Sequence, residues 1–232
     1  MNQIAAILVE PMLGSAGYIT PPKEFLPELR RISQEYDVLL IIDEVQTGWG
    51  RSGKLWASQY SNVEPDVMTM AKTLGGGFPI SAVIGKEEIM DKMGPGGFFS
   101  TYGGTPLGCA AALAVIKVFE EEKIVEQAEE MGRYLTKRLH ELAGRHELIG
   151  NIDGRGLYIG VELVKNRQTK EPAGEECESL QNECRKRGLL YEIGGLYGNI
   201  LKVICPLCIS KEQIDKAAEI LDESLSVVEH SA

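Results

Sequence analysis

The chain has 232 residues, 44% of them hydrophobic and 25% charged, with a formal net charge of −10 at pH 7. That is an ordinary globular composition, and an acidic chain without a Lys/Arg cluster repels a phosphate backbone, so nucleic acid is excluded as an expected partner. No apolar run approaches the roughly 20 residues a bilayer demands, and Met1-Asn2-Gln3 opens no basic leader region, so neither membrane nor secretion is expected and the expected compartment is cytoplasmic.

Ile4 to Val9 is a continuous apolar run closed by Glu10-Pro11, the pattern of a buried parallel strand. Pro22 to Tyr36 carries Phe25, Leu29 and Ile32 at helical spacing, with Pro22 in the tolerated first turn. Val38 to Ile42 is a second buried strand ending at Asp43, and Val67 to Ala71 a third ending at Lys72. Ser81 to Gly85 fits a fourth. Apolar strands alternating with helix give the α/β signature.

After Pro106 the character changes. Leu107 to Glu120 reads as an Ala-rich helix, and Ile124, Ala128, Met131, Leu135, Leu139 and Leu142 form the stripe of an amphipathic one. Two short strands flank Gly154-Arg155-Gly156, the second being Leu157 to Leu163. Asn166 to Glu176 reads as a polar loop leading into a helix up to Arg187, and Ile200 to Ile204 as a strand. Ser210-Lys211-Glu212-Gln213 fits a capping box opening a last helix, whose stripe is Ile214, Ala217, Leu221 and Leu225. The expected architecture is part of a large α/β domain over 1–120, then a smaller α+β domain over 121–232.

The five cysteines are scattered and odd in number, which suggests reduced thiols rather than a disulfide framework. Cys205-Pro206-Leu207-Cys208 has neither a following helix nor a second ligand pair, so a redox or zinc role is not expected there, and no metal site is expected elsewhere.

Ligands of open α/β sheets gather at the carboxyl ends of the strands. Glu10, the Asp43-Glu44 pair and Lys72 stand there. An apolar strand ending in Asp-Glu also describes the Walker B strand of an ATPase. That reading wants a phosphate loop before it, and Gly75-Gly76-Gly77 follows Lys72 instead. A pyridoxal-phosphate reading uses the residues more fully. A lysine at the end of a rigid strand can bond the cofactor's aldehyde as a Schiff base, and an aspartate on the next strand can keep the pyridine nitrogen protonated.

The motifs then become specific. Asp43-Glu44-Val45-Gln46-Thr47-Gly48-Trp49-Gly50-Arg51-Ser52-Gly53 resembles the D-E-V-Q-T-G-x-G-R-T-G motif of class III pyridoxal-phosphate aminotransferases. Pro65-Asp66-Val67 through Ala71-Lys72-Thr73-Leu74-Gly75-Gly76-Gly77 resembles that family's lysine motif, Ser100 to Leu107 its phosphate-contacting turn, and Gly154-Arg155-Gly156-Leu157 through Glu162 its small-domain motif. The resemblance implies a pyridoxal-phosphate-dependent transferase fold of type I, present as the C-terminal part of the large domain plus the small domain. It implies Lys72 as Schiff-base lysine and proton shuttle, Asp43 on the pyridine nitrogen, Val45 on a ring face, Gln46 on the phenolic oxygen, and Thr101 on the phosphate of a neighbouring subunit's cofactor. Arg51 is expected to be structural.

Two positions depart from the family pattern. Ser15 stands where many members place a glutamate that pairs with a substrate-binding arginine, and Lys202 stands where that arginine is expected. Lysine offers a point charge where arginine offers two parallel bonds, so substrate recognition at Ser15 and Lys202 is expected to differ. Ser15, Lys72-Thr73-Leu74-Gly75 and Val164 to Pro172 resemble the 2,2-dialkylglycine decarboxylases, although Thr105 replaces their metal-ligating aspartate. Leu189 to Cys208 looks closer to alanine–glyoxylate-type members.

The implied activity is amino transfer between an amino acid or amine and a 2-oxo acid, by a homodimer when full length. The alternatives are decarboxylation-dependent transamination, and a catalytically inactive fragment or partner subunit. Members of the family run to about twice this length, with a phosphate loop and a ring-stacking aromatic in the N-terminal half. Neither appears before Ile4, so the chain alone is not expected to be a competent catalyst.

Overall fold

A computed structural model of the chain describes residues 3–97 and 100–231. Met1 and Asn2, read above for a leader, lie outside them. The chain divides into two compact units, one of residues 1–12 with 21–125 and the other of residues 13–20 with 126–232.

The first unit is built on a four-stranded sheet in the order β1 (Ala6–Val9), β2 (Leu39–Asp43), β3 (Val67–Met70) and β4 (Ala82–Gly85). The first three strands are parallel and β4 runs antiparallel to β3. Helix α1 (Phe25–Glu35) covers one face, with Leu26 against Leu40 and Ile42. The helix starts three residues later than Pro22 suggests: Pro22 accepts a turn bond from Phe25 N–H, and Pro27 occupies the first turn, where its missing N–H is not needed. Of the expected Phe25-Leu29-Ile32 stripe, Leu29 packs against this cluster and Ile32 is half-buried, but Phe25 is not on the inward face. Leu26 and Ser33 are buried while Phe25 is exposed. Arg30 is half-buried, and its Nη1 and Nη2 lie 2.6 and 2.8 Å from Asp66. A short α2 (Glu87–Met90) precedes α3 (Pro106–Glu121). On α3, Ala112 joins Trp49, Met68, Met70 and Leu74 in a second cluster.

The second unit packs α4 (Ile124–Ala143), α5 (Gly174–Lys186) and α6 (Lys211–Ser231) with an antiparallel sheet. The sheet order is β5 (Ile149–Arg155), β6 (Tyr158–Asn166), β9 (Ile200–Val203) and β8 (Glu192–Gly194), with a two-residue β7 (Glu171–Pro172) beside β6. All six residues of the expected α4 stripe are buried. The capping box forms, with Ser210 Oγ accepting from Gln213 N–H and Gln213 Oε1 accepting from Ser210 N–H. On α6 the buried alanine is Ala218, not Ala217, because Ala218 falls four residues after Ile214 on the inward face. The expected loop 166–176 is cut short: β7 pairs with β6, and α5 opens at Gly174. Arg167 reaches under the end of α4, donating to the Ala143 and His146 carbonyls at 2.6 and 2.7 Å, a cation capping a helix C-terminus.

Residues 13–20 form a small hairpin of the second unit, closed by the Leu13–Ile19 bridge. Tyr18, fully buried, stacks on Tyr158 at 3.7 Å, and Thr20 N–H donates to Asp153. A β-carbon at Gly160 would lie 2.2 Å from the Gly17 carbonyl oxygen, so only glycine admits the hairpin this close.

Burial also sorts the thiols. Cys177 and Cys184 are fully buried on α5, while Cys109 and Cys208 are exposed. Burial, aided by Glu178, pushes the Cys177 thiol up to about 12, and burial raises Cys184 as well. Iodoacetamide at pH 8 should therefore label Cys109 and Cys208 in the native chain and reach Cys177 and Cys184 only after denaturation. Native labelling of Cys177 at the rate of Cys208, read by peptide mass, would contradict this packing.

Candidate functional site

Strand β3 ends at Met70, and the chain turns off the sheet at Lys72. Lys72 has φ of +46° and opens a single 3-10 turn, Lys72–Gly75, closed by Gly76 at φ +57°. A left-handed lysine is an uncommon and strained conformation, held only where surrounding packing fixes it. That packing is present: Leu74 and Gly75 are buried, and a β-carbon on Gly76 would stand 2.8 Å from Val115 of α3. The side chain of Lys72 is exposed and has no hydrogen-bond or ion-pair partner among the described residues.

Lys72 lines an open cavity of 590 Å³ together with Phe78, Ser81, Ser100, Tyr102 and Thr105. Thr105 Oγ1 accepts from Gly108 N–H and caps α3, whose first residue is Pro106. The Ser100–Thr105 turn thus presents hydroxyls and a helix N-terminus toward the same space as the lysine. Thr101 is exposed and is not among the lining residues, its neighbours Ser100 and Tyr102 being there instead.

On the neighbouring strand, Asp43 pairs across the ladder with Thr69. Its Oδ1 accepts from Thr69 Oγ1 at 3.0 Å and from Val45 N–H at 2.9 Å. Its Oδ2 takes no hydrogen bond from any described residue. Asp43 and Lys72 therefore both stand at the carboxyl ends of adjacent parallel strands.

Glu44 leaves this group. It is 0% exposed, accepts from Thr47 Oγ1 at 2.6 Å and from Ser58 N–H at 2.8 Å, and so clamps the 44–58 loop. The sequence pair Asp43-Glu44 splits into one carboxylate with a spare oxygen and one that is structural. Val45 and Gln46 are half-buried beside it.

Ser15 and Lys202 lie in the second unit. Ser15 is exposed, and its carbonyl accepts from Gly195 N–H at 3.4 Å. Lys202 is only 14% exposed in its side chain, pairs with Glu192 at 3.0 Å, and holds Nζ 5.5 Å from the Tyr18 ring centre. Its charge is already matched within its own sheet. No group of three or more His, Cys, Asp or Glu residues able to hold a metal occurs among the described residues.

Sequence reasoning missed three of these features: the Thr69 hydroxyl on Asp43, the Thr105 cap, and the burial of Glu44. Strand register carried a signal for the first, since parallel strands in register put Asp43 and Thr69 on one face.

Comparison with known proteins fixes the family. The profile described as Aminotransferase class-III matches residues 1–225, and the chain belongs to that family. It is 43% identical over 222 residues to the 5-aminovalerate aminotransferase of Pseudomonas aeruginosa, covering 96% of this chain and 52% of that protein. It is equally 43% identical, over 226 residues, to the leucine/methionine racemase of Thermococcus litoralis, covering 97% and 51%. Among solved structures, a Bacillus anthracis aminotransferase superposes with a TM-score of 0.91 at 35% identity, covering 97% of this chain and 52% of that one. The chain spans about half the length of the relatives it matches. Enzymes of this family depend on pyridoxal phosphate, and the fold is that of the solved transaminases.

Proposed function

We propose that this chain is the lysine-bearing portion of a class III transaminase, moving an amino group between an amino acid or amine and a 2-oxo acid. In this reading 1–120 is the C-terminal part of the cofactor domain and 121–232 the small domain, within a homodimer when full length. The observation that carries the reading is an unpartnered amine and a half-satisfied carboxylate at one end of a parallel sheet, Lys72 and Asp43.

The donor set fits pyridoxal phosphate. Lys72 would supply the amine that holds the cofactor's aldehyde and would be the group placed to hold and move a proton. Asp43 would hold the pyridine nitrogen through Oδ2, Val45 would lie against the ring, and Gln46 would bond the phenolic oxygen. Thr101 would serve the phosphate of a neighbouring subunit's cofactor. When bound, the cofactor acts as an electron sink that lowers the cost of removing a proton beside the amino group. Ser15 and Lys202 would be the second unit's substrate-recognition positions, and the Glu192 pair would blunt Lys202 as a carboxylate anchor. The chain spans about half the length of these relatives, and in this reading it is not by itself a competent catalyst.

The test is chemical trapping. The chain is mixed with pyridoxal phosphate, reduced with borohydride and digested. The adduct should concentrate on the Lys72 peptide and vanish in Lys72→Ala. Adducts spread evenly over exposed lysines would refute the assignment. Reaction type is read on the protein completed to the relatives' length. Amino transfer to a 2-oxo acid is expected. Carbon dioxide from 2-aminoisobutyrate would instead support decarboxylation-dependent transamination, and L-to-D conversion without a 2-oxo acid would support racemisation.

A further inference from the structure

We infer that Thr69 is a positioning residue that sets the carboxylate of Asp43, leaving Oδ2 as its one outward acceptor; the inference rests on the pyridoxal-phosphate reading above. Thr69 and Asp43 are Cα partners in the β2–β3 ladder, so their side chains rise from the same sheet face. Thr69 Oγ1 donates to Oδ1 at 3.0 Å, and Val45 N–H donates to the same oxygen at 2.9 Å. Two donors on one oxygen do two things. They fix the rotation of the carboxylate about its last bond, and they direct the unfilled acceptor capacity to Oδ2, which no described residue uses. Hydrogen bonds to a charged acceptor are the strong ones, and their geometry is correspondingly restrictive.

The two donors differ in what maintains them. Val45 N–H is backbone, two residues from Asp43, and any sequence that folds here keeps it. The Thr69 hydroxyl is the only side chain bonded to Asp43 among the described residues, so it is the part of the arrangement that a point substitution removes. Threonine also suits a strand, where its branched β-carbon is favoured and restricts its rotamer. The donor is therefore held in place by the backbone it grows from.

Thr69→Val keeps the shape and strand preference and removes the hydroxyl. Thr69→Ser keeps the hydroxyl, and Thr69→Ala removes it by a second route that does not depend on how valine packs. Binding to the full 232-residue chain is measured by equilibrium dialysis for two probes: pyridoxal phosphate, and its deaza analogue carrying carbon in place of the ring nitrogen. Thr69→Val and Thr69→Ala should weaken pyridoxal phosphate about tenfold, the scale of one charge-assisted hydrogen bond. The deaza analogue should bind all variants alike, and Thr69→Ser should bind pyridoxal phosphate like the original chain. Equal weakening of both probes would make Thr69 merely structural and overturn the inference while leaving the cofactor reading in place. An original chain that does not prefer pyridoxal phosphate over the analogue would overturn the role of Asp43 itself. An original chain that binds neither would overturn both the inference and the cofactor reading.

Discussion

Asp66→Asn should cost the chain about 3 kcal/mol of stability, the scale expected when one partner of a buried ion pair is removed. Asp66 is 6% exposed and takes four donors. Arg30 grips both oxygens at 2.6 and 2.8 Å, Lys86 Nζ lies 2.7 Å from Oδ1, and Leu40 N–H lies 2.8 Å from Oδ2. One carboxylate thus joins α1, β2 and the start of α2. Asparagine preserves the outline but leaves two cations facing a neutral amide whose NH₂ is itself a donor. Urea unfolding measures the loss, and a change under about 0.5 kcal/mol, the range of ordinary surface substitutions, would show that the cluster is not stabilising.

The same residue sets an acid limit. Burial opposes ionisation of Asp66, but Leu40 N–H, Lys86 and Arg30 together outweigh it and hold the carboxyl below the usual carboxylate range. A group whose folded value is depressed adds stability that is complete above its unfolded value. That stability drains away as pH falls through the lowered folded value. Stability of the original chain should fall in this acid window, and the Asp66→Asn chain should show a shallower fall there.

Gly132→Ala is the second large effect, and its sign runs against propensity. Within a helix, glycine to alanine ordinarily gains up to about 1 kcal/mol. On α4, however, a β-carbon at Gly132 would stand 2.4 Å from the Gly156 carbonyl carbon and oxygen. The β5–β6 turn is backbone at that point and has no flexible side chain to move aside. A net loss of about 2 kcal/mol is expected, in the range measured for overpacking. Gly144→Ala, near the end of the same helix, is the control. Its nearest atoms would be 3.5 Å away, an ordinary contact, and its unfolding midpoint should barely move. Equal midpoints for the two variants would remove the argument for close approach of α4 to the turn.

Much of this was legible in the residues. The α4 stripe was readable because twenty residues give several helical periods, and the Ser210 box because a cap is a local rule. Lys72 and Asp43 announced themselves as polar residues ending apolar strands. What escaped was non-local or too short to carry a period. Strand β7 has two residues and β8 three, fewer than any alternation can reveal. The antiparallel direction of β4 is a matter of chain path, which four apolar residues do not encode. Arg30 on a buried face contradicts simple patterning, because it is matched by Asp66, 36 residues away. The roles of Asp43 and Glu44 diverge for a similar reason: adjacent residues on a strand point to opposite sides, and only the fold says that one side holds Thr47 and Ser58.

The hairpin of residues 13–20 inverts the order of synthesis and the order of assembly. Tyr18 is made long before its stacking partner Tyr158, and the carboxylate that receives Thr20 N–H comes 133 residues later. Until β5 and β6 exist, this stretch of nascent chain has no surface to join. The second unit then closes around a segment made well before it, a contact of high sequence separation and correspondingly slow formation. A piece beginning at Glu126 would contain every helix turn of α5 and α6 and still lack the wedge that covers Tyr158 and Gly160. The second unit is therefore not a module that can be passed on by a single cut.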